Sequence, residues 1–147
     1  MKKILLGFGF ILATTFSSNA QEISDNAIGL RFSGGNGLGA DISYQKKLDN
    51  SNRLEVNLGL RDEFGSFKGT GLYQWVWNLE DKFNWYAGFG AGFDSGYSSL
   101  FGAGIVGIEY NFDAPILISL DYRPEVVITG NYDGLNSSLA LAIRYQF

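Results

Sequence analysis

The sequence predicts an all-β protein, a closed eight-stranded antiparallel up-and-down transmembrane β-barrel. Three observations predict it. Turn-forming clusters recur at near-regular intervals. The segments between them alternate large apolar residues with polar or small ones. The last segment, Leu139-Ala140-Leu141-Ala142-Ile143-Arg144-Tyr145-Gln146-Phe147, carries an arginine in the middle of one face and ends on an aromatic carboxy terminus. Successive strand side chains point to opposite faces. Leu139, Leu141, Ile143, Tyr145 and Phe147 therefore share one face, and Ala140, Ala142, Arg144 and Gln146 the other. That is the patterning of a strand with lipid outside and a polar lumen inside.

Taken in order, the chain begins with a basic Met1-Lys2-Lys3, followed by an apolar stretch over Ile4–Ala13 interrupted by Gly7 and Gly9. Small residues at Ser18 and Ala20 form an A-x-A-like site before Gln21. Residues 1–20 are expected to be a cleaved signal peptide. A membrane anchor would need about 20 apolar residues, more than this run supplies. Removing 20 of the 147 residues leaves 127, Gln21–Phe147, which are expected to form one barrel domain.

Seven turn-like clusters follow: Ser33–Gly37, Asp49–Asn52, Phe64–Ser66, Glu80–Lys82, Asp94–Gly96, Asp113–Pro115 and Gly130–Gly134. They delimit eight segments of roughly 9–11 residues, the length of a membrane-spanning strand. None carries a helical period, and no linker or second domain interrupts them.

The face expected to point outward begins with Ile28, Leu30 and Phe32, then Ala40, Ile42 and Tyr44. The third segment contributes Leu54, Val56, Leu58 and Leu60, and the fourth Tyr73, Trp75, Trp77 and Leu79. The fifth contributes Phe83, Trp85, Ala87, Phe89, Ala91 and Phe93. The sixth adds Val106, Ile108, Tyr110 and Phe112, and the seventh Ile116, Ile118, Leu120 and Tyr122. The last segment completes the set. Lys46 alone puts a charge on this face, close enough to a turn for its stem to reach the interface.

The opposite face differs in kind. Its charged members are Arg31, Asp41, Glu55, Arg61, Glu109, Asp121, Arg123, Glu125 and Arg144, four arginines against five carboxylates. A soluble exported β-domain would place its apolar face inward and would not leave so many aromatic and branched residues on the outside. Inverted patterning favours the membrane barrel. An eight-stranded barrel is narrow and filled by its own side chains, so these charges are expected to form a buried lumen network. The catalytic alternative for the carboxylates carries less weight. Three glycines, Gly88, Gly90 and Gly92, fall on this inner face and are expected to curve the sheet and leave room for long arginines. A small cavity in the upper lumen for a ligand or water, which would make a small-ligand-binding barrel, is the alternative. Pro124 cannot donate to a ladder. A bulge or irregularity is expected there, near the outer rim, with Arg123 and Glu125 pinned together.

An even number of strands puts both termini on one side, expected to be the periplasm. Asp49–Asn52, Glu80–Lys82 and Asp113–Pro115 are then the periplasmic turns. The outer loops are Ser33–Leu38, Asp62–Phe67, Asp94–Ser99 and Gly130–Leu135, short for this architecture. Tyr44, Trp77, Trp85, Tyr110, Phe112, Tyr145 and Phe147 lie near the inner turns and form the expected aromatic girdle at the headgroup level.

Composition excludes several functions. Without Lys2 and Lys3 the chain keeps 9 basic against 15 acidic residues, a net charge of −6, which opposes nucleic-acid binding. It holds no cysteine and no histidine. Thiolate metal sites, disulfides and the commonest general base are therefore absent. Gly35-Asn36-Gly37-Leu38-Gly39-Ala40 matches a dinucleotide fingerprint by letters, but Asp41-Ile42-Ser43-Tyr44 continues it as strand rather than as the helix the motif requires. No cofactor is expected.

With strand count, alternation, terminal strand and leader in hand, the mature chain resembles the small eight-stranded outer-membrane β-barrels of the outer membrane protein X and outer membrane protein A type. The resemblance implies an integral outer-membrane protein of a Gram-negative bacterium. It would be monomeric, surrounded by outer-membrane lipid and inserted by the outer-membrane assembly machinery from a chaperone-bound periplasmic state. Ile143, Tyr145 and Phe147 match the terminal signal that this machinery reads. The short loops depart from the long protruding strands of outer membrane protein X, which argues against host contact. Three roles follow from the resemblance: a non-catalytic envelope or partner-binding barrel, a lipid-modifying barrel enzyme, and a narrow channel. The enzymes use a serine beside a histidine, which this chain cannot supply.

A closed sheet resists detergent. On a detergent gel the unboiled mature protein is expected to migrate at a different apparent size from the boiled sample. Identical migration would count against the barrel.

Overall fold

The computed structural model describes residues 23–35, 38–61, 65–130 and 134–147. The expected leader over 1–20, its cleavage site before Gln21, and parts of three outer loops (36–37, 62–64 and 131–133) lie outside the described residues.

Alternation and turn chemistry produce eight strands: β1 Asn26–Gly34, β2 Gly39–Lys47, β3 Asn52–Arg61, β4 Ser66–Glu80, β5 Phe83–Asp94, β6 Ser99–Asn111, β7 Ile116–Thr129 and β8 Leu135–Gln146. Each pairs antiparallel with its neighbours, and β1 pairs with β8 to close the barrel. Closure removes both sheet edges and satisfies the ladder all the way round, the condition for a sheet in hydrocarbon. Each of the seven turn clusters falls at a junction of consecutive strands, several overlapping a strand end, as Ser33, Asn52, Ser66, Glu80 and Asp94 do. The strands are less uniform than the clusters suggest. β1, β2 and β3 hold 9–10 residues, whereas β4 to β8 hold 12–15. Pairing continues into Ser66, Ser99 and Leu135, which turn residues alone assign to loops.

The sheet is inside-out. On β8, Leu141 is 47% exposed and Ile143 48%, while Arg144 between them and Tyr145 is 1% exposed. Every residue of the expected outward set that is large and apolar is exposed or half-buried, and Trp75 and Ile118 stand outside with them. Lys46 reaches the barrel end, where its Nζ donates to Asn26 Oδ1 at 3.3 Å.

The lumen has two halves. β1–β3, β7 and β8 line one half with charge. β4, β5 and β6 line the other with a buried apolar cluster of Leu72, Val76, Tyr86, Phe101, Ala103 and Ile105, joined by Ile23 ahead of β1. Alternation does not mark this cluster, because its members are apolar like the outer face and only interrupt an inner face that also carries Gln74, Asn84 and Glu109.

The β5 glycines serve a different purpose from the expected one. A Cβ on Gly90 would lie 1.8 Å from the Gly71 carbonyl oxygen, and one on Gly88 2.1 Å from that of Tyr73. The β4 and β5 backbones approach too closely on this face for any side chain. Gly92 clears space for the Phe101 ring. Room for arginine comes from elsewhere: Gly59, whose Cβ would sit 2.0 Å from Asp41 Oδ1 and 2.6 Å from Arg61 Nη1, and the buried Ala27, Ala140 and Ala142.

At Pro124 the ladder is irregular, as expected, but it is not bulged. The β6–β7 register is the same on both sides of it, Ala103 with Glu125 and Val106 with Tyr122. The ladder lapses at the proline, which has no N–H to give, yet no residue is inserted. The irregularity on this seam lies further out, between Leu100 and Phe101. Towards β8, pairing runs straight through Pro124 opposite Ser137.

Gly90→Ala sets a methyl group against the Gly71 carbonyl. Overpacking of this kind costs about 1–3 kcal/mol. Urea unfolding in lipid vesicles should show a lower midpoint for this variant and an unchanged midpoint for Gly71→Ala, whose Cβ would meet nothing within 4 Å.

Candidate functional site

A carboxylate inside a barrel has no bulk water to solvate it, so each must find donors from neighbouring strands. Glu55 on β3 finds five. Its Oε1 accepts from Asn57 Nδ2 at 2.8 Å and Arg123 Nη2 at 3.3 Å. Its Oε2 accepts from Gln45 Nε2 at 2.7 Å, Gln74 Nε2 at 3.0 Å and Arg144 Nη2 at 3.3 Å. One carboxylate thereby ties β2, β3, β4, β7 and β8 across the lumen, and it is the counter-ion of two arginines.

The contacts extend outward from this hub. Arg53 Nε donates to Gln74 Oε1 at 2.7 Å, and Arg53 Nη2 stands 2.8 Å from Glu109 Oε2. Glu109 accepts from Asn84, which in turn accepts from Asn78. Arg144 also donates to Ser43 and Ser119. A second chain runs towards the outer end. Arg61 Nη2 donates to Asp41 Oδ1 at 2.7 Å, and Arg31 Nη1 to Asp41 Oδ2 at 3.4 Å. Arg31 then grips Asp121 through both Nε and Nη2, at 3.2 and 2.6 Å, the strong two-pronged geometry of guanidinium with carboxylate. Tyr86 Oη donates to Asp121, and the Arg53 guanidinium lies 4.8 Å from the Tyr86 ring centre. Tyr86 therefore links the apolar half of the lumen to the charged half.

The structure places all nine charged residues expected in the lumen on the inner face, and joins Arg31, Asp41, Arg61 and Asp121 in one chain and Glu55, Arg123 and Arg144 in another. It does not pin Arg123 to Glu125: Arg123 pairs with Glu55, and Glu125 with Lys68 at 2.5 Å. Two cations escaped sequence reading. Arg53 follows the Asp49–Asn52 turn and reads as part of it, yet it is 1% exposed. Lys68 sits beside the Phe64–Ser66 cluster, yet its Nζ lies 4.6 Å from the Phe101 ring centre. In both, the signal was strict parity with Glu55 and Gln74.

Above this network a cavity of about 180 Å³ lies at the loop end of the lumen. Arg31, Arg61, Lys68 and Arg123 line it with Asp41, Asp94 and Glu125, and serine hydroxyls fill its rim. Among the described residues no cluster of three or more histidine, cysteine or carboxylate side chains could hold a metal.

The aromatics near the terminal end are arranged in contact pairs on the outer face. Trp77 and Trp85 stack at 4.4 Å. Tyr110 meets Phe83 and Phe112 edge-on at 4.8 and 4.7 Å, and Tyr145 stacks on Phe147 at 6.2 Å. Tyr44 Oη donates to Asn26 at 2.7 Å. Phe83, on the expected outward face, joins the expected girdle residues through its contact with Tyr110.

No protein-family model and no curated sequence matches the chain. Solved structures do match in shape. The N-terminal β-barrel domain of Pseudomonas aeruginosa OprF superposes with a TM-score of 0.71 at 10% identity, over 86% of this chain and 100% of that one. Neisserial surface protein A gives 0.62 at 13%, over 83% and 94%. A de novo designed transmembrane β-barrel gives 0.67 at 11%, over 88% and 100%. The chain thus has the closed eight-stranded fold of the small outer-membrane barrels. At these identities the likeness is one of fold.

Glu55→Gln removes the counter-ion of both Arg123 and Arg144. Breaking a buried pair costs about 3–5 kcal/mol, and unfolding in lipid vesicles should show that loss. Arg144→Leu should cost less than Glu55→Gln, because Glu55 keeps Arg123. Arg61→Gln, at the half-exposed rim, should cost under about 1 kcal/mol. Equal effects of all three would show that Glu55 is no hub.

Proposed function

We propose that the protein is an integral outer-membrane β-barrel of a Gram-negative bacterium with a filled polar lumen, and that it serves the envelope as a structural or partner-binding element rather than as an enzyme. The observation that carries this reading is the pairing of buried charge within a sheet whose outer face is apolar. Six cations (Arg31, Arg53, Arg61, Lys68, Arg123 and Arg144) contact five carboxylates (Asp41, Glu55, Glu109, Asp121 and Glu125). Such pairing supports a packed interior rather than a water-filled pore.

Localisation follows from the apolar belt, the girdle of Tyr44, Trp77, Trp85, Tyr110, Phe112 and Tyr145, and the barrel fold. Outer-membrane lipid is the surrounding partner. Ile143, Tyr145 and Phe147 are the residues the assembly machinery would read on a chain delivered by periplasmic chaperones. A closed barrel presents no edge for self-pairing, which supports a monomer. The whole sequence contains no histidine, which supports a non-catalytic role against the Ser-His lipid hydrolases. A shared fold alone decides no role, since a designed barrel has it too.

In planar lipid bilayers the reconstituted protein is expected to give no resolved conductance steps, and in detergent no lipid hydrolysis. Discrete, reproducible current steps would favour the narrow-channel reading, and lipid turnover would overturn the non-catalytic one.

A further inference from the structure

The outer cavity is built differently from the layer beneath it. Below, carboxylates and arginines meet in matched contacts. Around the cavity four cations and three carboxylates form the lining, and Arg31, Arg61 and Lys68 are each paired, with Asp121, Asp41 and Glu125. Asp94, counted among the three, already spends one oxygen on the Gly96 backbone N–H at 2.9 Å. Arg123 is the least compensated of the cations. Its carboxylate, Glu55, is shared with Arg144. Its side chain is 2% exposed and lines the cavity, and its Nε proton meets no acceptor. A buried charged donor left unmade is costly, and the Arg123 side chain lines a polar cavity roomy enough for a small solute. Serine hydroxyls at the rim, Ser99 and Ser138 among them, add donors that need no charge.

From this we infer that the outer cavity is a binding site for a small oxyanion of the phosphate type, seated on Arg123 with Lys68 and Arg61 at the rim. The phosphate group is free in solution or carried on a lipid headgroup reaching over the rim. The inference does not depend on the envelope role, since it concerns only the lumen chemistry of the folded barrel.

The test follows the side-chain 15Nε–1Hε resonances of the arginines in the folded barrel, in a phosphate-free detergent at constant ionic strength. Inorganic phosphate is titrated in one arm. In the other the barrel is moved from bicelles of a neutral glycolipid to bicelles containing phosphatidylglycerol. The Arg123 resonance is expected to shift saturably in at least one arm, while that of Arg53, on the far side of the hub, stays still. A shift with inorganic phosphate assigns the free source; a shift with phosphatidylglycerol only assigns the headgroup. Equal drift of all arginines, or no shift at Arg123 in either arm, overturns the site.

Two rim variants leave the Glu55 hub intact. Lys68→Gln should weaken phosphate binding about tenfold, and Glu125→Gln should tighten it about tenfold. Effects of the same sign in both variants, or none, would equally overturn the proposal.

Discussion

Glu55 is enclosed by protein on every side, and its negative charge must be met there. Five donors from five strands meet it. None is close in sequence except Asn57, and the contact to Arg144 spans 89 residues. The carboxylate therefore holds parts of the chain that only closure of the barrel brings together. Removing water from such a group is expensive. Full coordination turns that cost into a demand for one register, because a strand slipped by one residue would point its donor into lipid.

The apolar belt and the ion network are two aspects of one constraint. A sheet in hydrocarbon must satisfy every backbone group and present grease outward. The polar side chains are then forced inward, where the narrow lumen leaves them only each other. The lumen is not uniformly polar, however. Along β4–β6 the close backbone approach at Gly88 and Gly90 shrinks the space, and Leu72, Phe101 and Ile105 fill it. In the charged half Gly59 leaves room for the Asp41 carboxylate and the Arg61 guanidinium. Tyr86 joins the halves, with its ring beside Arg53 and its hydroxyl on Asp121.

This division explains why the interior is tight in the middle and loose at one end. Around Glu55 the amides of Gln45, Gln74 and Asn57 supplement the arginines, so few donors are left over. Near the outer rim the strands outrun the network, and serines replace amides. Space and surplus positive charge coincide there. Shape alone reveals none of this, since barrels with the same fold and 10–13% identity share no requirement for the same interior.

The strand count, the places of the turns and the face that meets lipid were all legible in the residue order. These follow from a two-residue period and from turn residues, and both are local properties of the chain. That order also marked nine lumen charges by parity. Arg53 and Lys68 escaped because their neighbours read as turn, and Leu72, Phe101 and Ile105 because apolar residues on an otherwise polar inner face look no different from those facing lipid. Only the tertiary structure decided that Arg123 turns to Glu55 and not to Glu125, that Pro124 interrupts a ladder without bulging it, and that the β5 glycines yield to a backbone instead of to arginine. Pairing across a lumen depends on stagger, curvature and the reach of side chains from non-adjacent strands, and a single strand's alternation contains none of these.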